Sequence, residues 1–131
     1  MVIPPPKRSA ARLRILLVED DADTAHMMVM ILERSGFDAR SASSYKEALA
    51  SAADWVPDLL ICDIGLPGKD GLEVMKKMRD AYPGLRGLVV SGHTSPEDVA
   101  RSREAGFADH LAKPLDVDRL KSAIQHLFAE P

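Results

Sequence analysis

Asp63 closes the apolar run Leu59-Leu60-Ile61-Cys62, and the turn-rich stretch Gly65-Leu66-Pro67-Gly68 follows it. Three other apolar runs also stop on residues with chemistry to offer. One ends in Glu19-Asp20-Asp21, one in Ser91 and one in Lys113-Pro114. Glu19, Asp20 and Asp63 brought together would repel one another and call for a cation. Oxygen-only donors suit Mg²⁺, Mn²⁺ or Ca²⁺ rather than zinc, and a few carboxylates with retained waters suit Mg²⁺ best. The chain has no His/Cys cluster with zinc spacing. An ammonium and a hydroxyl beside such a centre suit an incoming phosphoryl group. The positive charges neutralise its oxygens, the hydroxyl donates a hydrogen bond, and an in-line carboxylate attacks phosphorus. Each residue alone has a plainer role: Asp63 as a turn residue, Lys113 as a surface charge, Ser91 as a turn hydroxyl, Glu19-Asp20 as a solvated helix start.

These residues can meet only if the runs they terminate are parallel strands of one sheet, whose C-terminal ends share an edge. The pattern supplies such strands. Arg12–Val18 is strand-like, and Ala25, Met28, Val29 and Leu32 then recur on one helix face behind a cap at Asp21 or Asp23. Gly36 stops that helix, and the mixed Phe37–Ala42 reads as an edge strand. Ser44 with Glu47 is a capping box ahead of Ala48, Leu49 and Ala52. Asp58–Asp63 is the central buried strand. Leu72, Met75, Met78 and Tyr82 mark a third helix, ended by Pro83-Gly84. Arg86–Val90 is a fourth strand. Ser95-Pro96-Glu97-Asp98 starts a short polar helix with Val99 and Ala100 as its main apolar positions. Phe107–Ala112 is a fifth strand. Asp116 caps a last helix whose stripe is Val117, Leu120, Ile124 and Leu127. Five strands alternating with five helices imply an α/β fold with a parallel sheet and helices on both faces.

Composition bounds the rest. A chain of 131 residues with 46% hydrophobic and 28% charged content fits one domain with a substantial core. A net charge of -3 argues against direct nucleic-acid binding. The single cysteine, Cys62, sits inside an apolar run and reads as a core residue in a reducing, cytoplasmic setting. No apolar stretch approaches the roughly 20 residues of a membrane span, and the N-terminus lacks a secretory core. Residues 1–11, with Pro4-Pro5-Pro6 followed by Lys7-Arg8, read as a flexible Pro-rich tail or linker. Residues 12–128 form the domain.

Four motifs, taken in order, resemble the receiver domain of two-component response regulators: Leu17-Val18-Glu19-Asp20-Asp21, then Asp63-Ile64-Gly65-Leu66-Pro67 with Gly71, then Val89-Val90-Ser91-Gly92, then Lys113-Pro114. The resemblance implies a flavodoxin-like, doubly wound five-stranded parallel sheet in the order 2-1-3-4-5. It implies that Asp63 accepts a phosphoryl group from a histidine kinase or histidine phosphotransfer protein. Glu19 and Asp20 would hold Mg²⁺, with Mn²⁺ as an alternative, together with Asp63 and the backbone carbonyl of Gly65. Ser91 would be the switch hydroxyl, and Lys113 would pair with the phosphoryl oxygens across a cis Lys113-Pro114 bond. The chain would then be a signalling switch that catalyses its own phosphorylation and slow dephosphorylation and presents a face to a downstream effector.

One position departs from the family. His110 stands where a Tyr or Phe on the fifth strand usually acts as an aromatic switch. It is either a switch of a different kind or a half-exposed strand histidine. His26 reads as solvated and His93 as a loop residue. None of these histidines has the surroundings of a phosphotransfer histidine, so the chain reads as acceptor and not donor. An aspartyl-nucleophile phosphohydrolase similar to the haloacid dehalogenases is the enzymatic alternative, but Gly65 stands where that family has its second Asp. A pseudo-receiver is disfavoured by the complete acid, Asp, Ser and Lys set. No output domain is visible, which fits either a single-domain regulator or a receiver from a larger protein. The stretch Ala105–Asp116 resembles receivers attached to hybrid sensor histidine kinases.

Overall fold

The computed structural model describes residues 12–64, 69–92 and 95–129. The Pro-rich tail expected at 1–11 lies outside them. Ten elements alternate: β1 (Arg14–Val18), α1 (Ala22–Arg34), β2 (Asp38–Ala42), α2 (Tyr45–Asp54), β3 (Leu59–Ile64), α3 (Lys69–Ala81), β4 (Arg86–Ser91), α4 (Pro96–Ala105), β5 (Asp109–Ala112) and α5 (Val117–Leu127). The five strands form one sheet in the order β2-β1-β3-β4-β5, and every neighbouring pair is parallel. This is the expected flavodoxin-like architecture, with β2 on an edge. The Lys113-Pro114 bond is cis.

Strand alternation divides the core into two layers. Ile15, Leu17, Leu59, Ile61, Leu88 and Val90 face α1 and α5, where Met28, Leu32, Leu120 and Ile124 cover them. Leu16, Leu60, Cys62 and Val89 face the other way, against Ala48, Ala52, Met75, Met78 and Phe107. Cys62 is a core residue as expected, and burial pushes its thiol well above the ordinary range. Methionines of α3 fill the core rather than line a cofactor site.

The helix starts follow their side chains. Asp21, not Asp23, caps α1 by accepting from the Thr24 N–H at 2.9 Å. Ser44, Ser95 and Asp116 cap α2, α4 and α5. At the end of α4, Gly106 takes φ 108°, a left-handed conformation that ends the helix and that only glycine adopts without strain.

Three local expectations are corrected. The first strand begins at Arg14 rather than Arg12, because the Arg14 N–H is taken by the Asp58 carboxylate at 2.9 Å and pairing with β3 starts at Ile15. The fifth strand begins at Asp109 rather than Phe107. The Phe107 N–H instead closes the end of α4 on the Ser102 carbonyl, while its ring is buried in the core. In α4, whose main apolar positions are Val99 and Ala100, the buried residues are Ser102 and Ala105. In α5 Val117 is 40% exposed and Ala123 is buried beside Leu120 and Ile124, so the stripe is rotated from the one expected.

Candidate functional site

Register brings the strand ends together. Val18 stands opposite Cys62, so Glu19 emerges beside Asp63. Ile64 stands opposite Ser91, and Ser91 opposite Ala112. The Lys113 N–H then donates to the Ser91 carbonyl at 2.9 Å, which fixes the backbone that carries the lysine. Four strands therefore deliver Glu19, Asp63, Ser91 and Lys113 to one edge. Alternation decides which way each points. Asp63 continues the face of Leu59 and Ile61 toward α1 and α5. Ser91 shares the face of Val89 toward α3 and α4 and is 2% exposed.

Asp63 and Lys113 are in contact. Lys113 Nζ lies 2.5 Å from Asp63 Oδ1, with the aspartate side chain 2% exposed and the lysine side chain 37% exposed. Among the described residues Oδ1 has no hydrogen bond of good geometry, so the lysine charge holds it without well-directed donation. The two line a cleft of ≈ 270 Å³ between α1 and α5, with Thr24, Met27 and Val117 on its walls.

Glu19 is buried, whereas Asp20 next to it is exposed. Burial and the neighbouring Asp63 push the Glu19 carboxyl up to about 7. Asp20 adds to the rise, and Lys113 partly offsets it. Burial and the crowded carboxylates therefore favour the protonated form of Glu19 over its anion. Glu19 and Asp20 line a second cleft, ≈ 370 Å³, between α1 and the start of α2, with His26, Ser43 and Glu47. His26 is exposed there, as expected.

Oxygen donors short of positive charge suit a hard divalent cation by their chemistry. Even so, among the described residues no three His, Cys, Asp or Glu side chains are arranged to hold a metal by themselves. The expected acidic trio is brought to one edge without closing into a cage of side chains. Lys113 already lies against Asp63, and Asp20 faces solvent. The expected carbonyl ligand, Gly65, lies outside the described residues, as does His93.

The response regulator receiver domain family model matches residues 15–125. The chain belongs to this family. Receiver domains act as signalling switches, and they bind Mg²⁺ at their phosphorylation site. The receiver is 30% identical over 118 residues to the transcriptional regulatory protein ZraR of Salmonella typhimurium, covering 90% of this chain and 27% of that protein. It thus spans about a quarter of that relative's length. It is 27% identical to the sporulation initiation phosphotransferase F of Bacillus subtilis, covering 86% of this chain and 90% of that one. A response regulator from Burkholderia pseudomallei, solved with a phosphorylated aspartic acid, a calcium ion and citrate, superposes with a TM-score of 0.77 at 28% identity, covering 86% of this receiver and 66% of that chain. No described helix of the receiver is long and apolar enough to cross a membrane.

His110 lies on β5 opposite Val89, half-buried, on the same face as Ser91. Its Nδ1 is 3.3 Å from Ser102 Oγ on α4. Sequence reasoning missed Ser102, since a serine on a polar helix carries no signal of burial. The same holds for the asymmetry between Glu19 and Asp20, because two adjacent acids look alike until the strand end gives them opposite directions.

Proposed function

We propose that Asp63 is the phosphoacceptor of a two-component phosphorelay. The observation that carries this reading is the nearly buried Asp63 carboxylate against Lys113 Nζ, with the proton-hungry Glu19 beside it. A donor phosphohistidine presents its phosphoryl group to Asp63. A carboxylate oxygen forms the new O–P bond, the P–N bond breaks, and the departing imidazole nitrogen keeps the electron pair and takes a proton. Lys113 then pairs with a phosphoryl oxygen instead of the free carboxylate. Ser91 donates its hydroxyl to another oxygen and draws the segment after β4 with it. Glu19, Asp20, Asp63 and the Gly65 carbonyl would hold Mg²⁺, with Mn²⁺ as a substitute. When bound, the ion supplies positive charge against the crowded oxygens.

The donor is a histidine kinase or a histidine phosphotransfer protein. The recipient of the signal is an effector that reads the face of α4, β5 and α5, where His110 acts as the switch. The receiver itself, in this reading, touches neither nucleic acid nor membrane and works in the cytoplasm. It catalyses its own phosphorylation and slow dephosphorylation rather than turning over an external substrate. The Pro-rich 1–11 segment serves as tail or linker to the 12–128 domain.

The test is incubation with a small acyl-phosphate donor, with and without Mg²⁺, read by intact mass. A Mg²⁺-dependent gain of one phosphoryl group that disappears in Asp63→Asn supports the reading. Labelling that survives in Asp63→Asn, or rapid turnover of assorted phosphate esters, contradicts it.

A further inference from the structure

Ser102 is 2% exposed on the inner face of α4. Its Oγ donates to the Val99 carbonyl at 2.8 Å and also lies 3.3 Å from His110 Nδ1 on β5. A serine hydroxyl has a single proton. Both contacts are hydrogen bonds at once only when the hydroxyl donates to Val99 and the ring donates from Nδ1.

The contact joins α4 to β5 through two polar side chains. Along α4 the buried residues are Ser102 and Ala105, neither with a large apolar side chain. A helix whose buried side chains are this small is an element that can shift against the sheet. It is also connected to the phosphoacceptor edge. Its cap, Ser95, follows Ser91 closely in the chain, and Val89, two residues before Ser91, stands opposite His110.

We propose that His110 Nδ1–H and Ser102 Oγ form a polar latch that holds α4 against β5 in the unmodified receiver, and that loading Asp63 opens it. The second half rests on the phosphoacceptor reading above; the first does not. An aromatic residue at this position would couple β5 to α4 by packing, which fades gradually with displacement. A hydrogen bond is directional. At 3.3 Å this one is already at the long end of its range, so a shift of a few tenths of an ångström ends it. A drawn-in Ser91 tugs the start of α4, the latch parts, and the face of α4 and β5 is freed.

The closed latch also opposes loading. Because a side-chain hydrogen bond contributes modestly, its removal raises the population of the open form by roughly 2- to 10-fold. The apparent affinity for an acyl-phosphate mimic rises by the same factor.

The experiment has two arms. The first is the long-range ¹⁵N–¹H imidazole spectrum of the unloaded protein at about pH 8, where histidines are neutral, with His110 assigned by its loss in His110→Phe. The proton is expected on Nδ1, and in Ser102→Ala it moves to Nε2. A proton on Nε2 in the wild type overturns the latch. The second arm is titration with beryllium trifluoride in Mg²⁺. Wild type is expected to lose the Nδ1–H signature on saturation. Ser102→Ala and His110→Phe are expected to saturate at about 2- to 10-fold lower concentration, while His110→Asn, which keeps a donor at the Nδ1 position, behaves as wild type. An unchanged tautomer on loading, or equal affinities in all four proteins, overturns the opening step. If no protein binds the mimic, the phosphoacceptor reading fails and takes the opening step with it, while the first arm still decides the resting contact.

Discussion

The two edges of the same sheet treat their charges in opposite ways. At the edge where the strands begin, four arginines have settled places. Arg14 and Arg40 lie over the Trp55 ring at 5.5 and 4.6 Å. Arg12 pairs with Asp38 at 3.1 Å. Arg86 stacks on Phe128 at 4.5 Å and donates to the Leu127 carbonyl at the end of α5, where a cation also complements the helix dipole. At the edge where the strands end, Glu19 is buried against Asp63 with too little positive charge, and Asp63 meets Lys113 without a well-directed hydrogen bond. One edge contributes stability. The other gives stability up for a site that a cation and a phosphoryl group would complete.

Substitutions should therefore have opposite signs at the two edges. The largest effect belongs to Trp55. It is 8% exposed, packed in the core layer under α2 and α3, and covered by the two arginines. Trp55→Ala is expected to cost about 3–5 kcal/mol in chemical denaturation, while the folded fraction still takes up a phosphoryl group on Asp63. A cost below about 1 kcal/mol would show that this edge is not a stabilising one.

Glu19→Gln should do the reverse. The carboxyl titrates at 4.5 when unfolded and at about 7 when folded. The folded protein thus binds more protons than the unfolded chain between those values. The stability associated with a neutral Glu19 is fully present below pH 4.5 and is lost as the pH rises through 7. At about pH 8, Glu19→Gln is expected to raise stability, by at most about 2 kcal/mol once solvent screening is allowed for, with no gain at about pH 4. Saturating Mg²⁺ should stabilise wild type more at about pH 8 than at about pH 5. Denaturation curves at the two pH values, with and without the ion, check both. A Gln variant that is less stable at high pH would mean that Glu19 is satisfied where it sits.

The smallest effect separates geometry from charge. Gly106 holds φ 108°, and a Cβ there would meet the Arg79 side chain at 2.6 Å. Gly106→Ala is expected to cost about 1–2 kcal/mol through backbone strain, with the pH dependence unchanged. Thermal melts at two pH values report it.

Much of this was legible in the sequence. Asp63, Glu19, Ser91 and Lys113 each end an apolar run, and parallel pairing does the rest, so the edge that gathers them follows from the order of runs. The misses share a cause. Val117 reads as core because it is apolar, but α5 turns its Ala123 side to the sheet. Ser102 reads as surface because it is polar, but its hydroxyl finds Val99 and His110 within the fold. Hydrophobic pattern records composition along a helix. It does not record the rotation of that helix on the sheet, nor a polar group whose partners come from another element.

The most direct measurement locates the phosphoryl group on the chain. The protein is phosphorylated with a small acyl phosphate in Mg²⁺, reduced with borohydride, and mapped by peptide mass. Reduction converts an aspartyl phosphate to homoserine. Homoserine is expected at position 63 and at no other acidic position. Homoserine at Asp20 or Asp21, or phosphorylated protein that yields none, would contradict it.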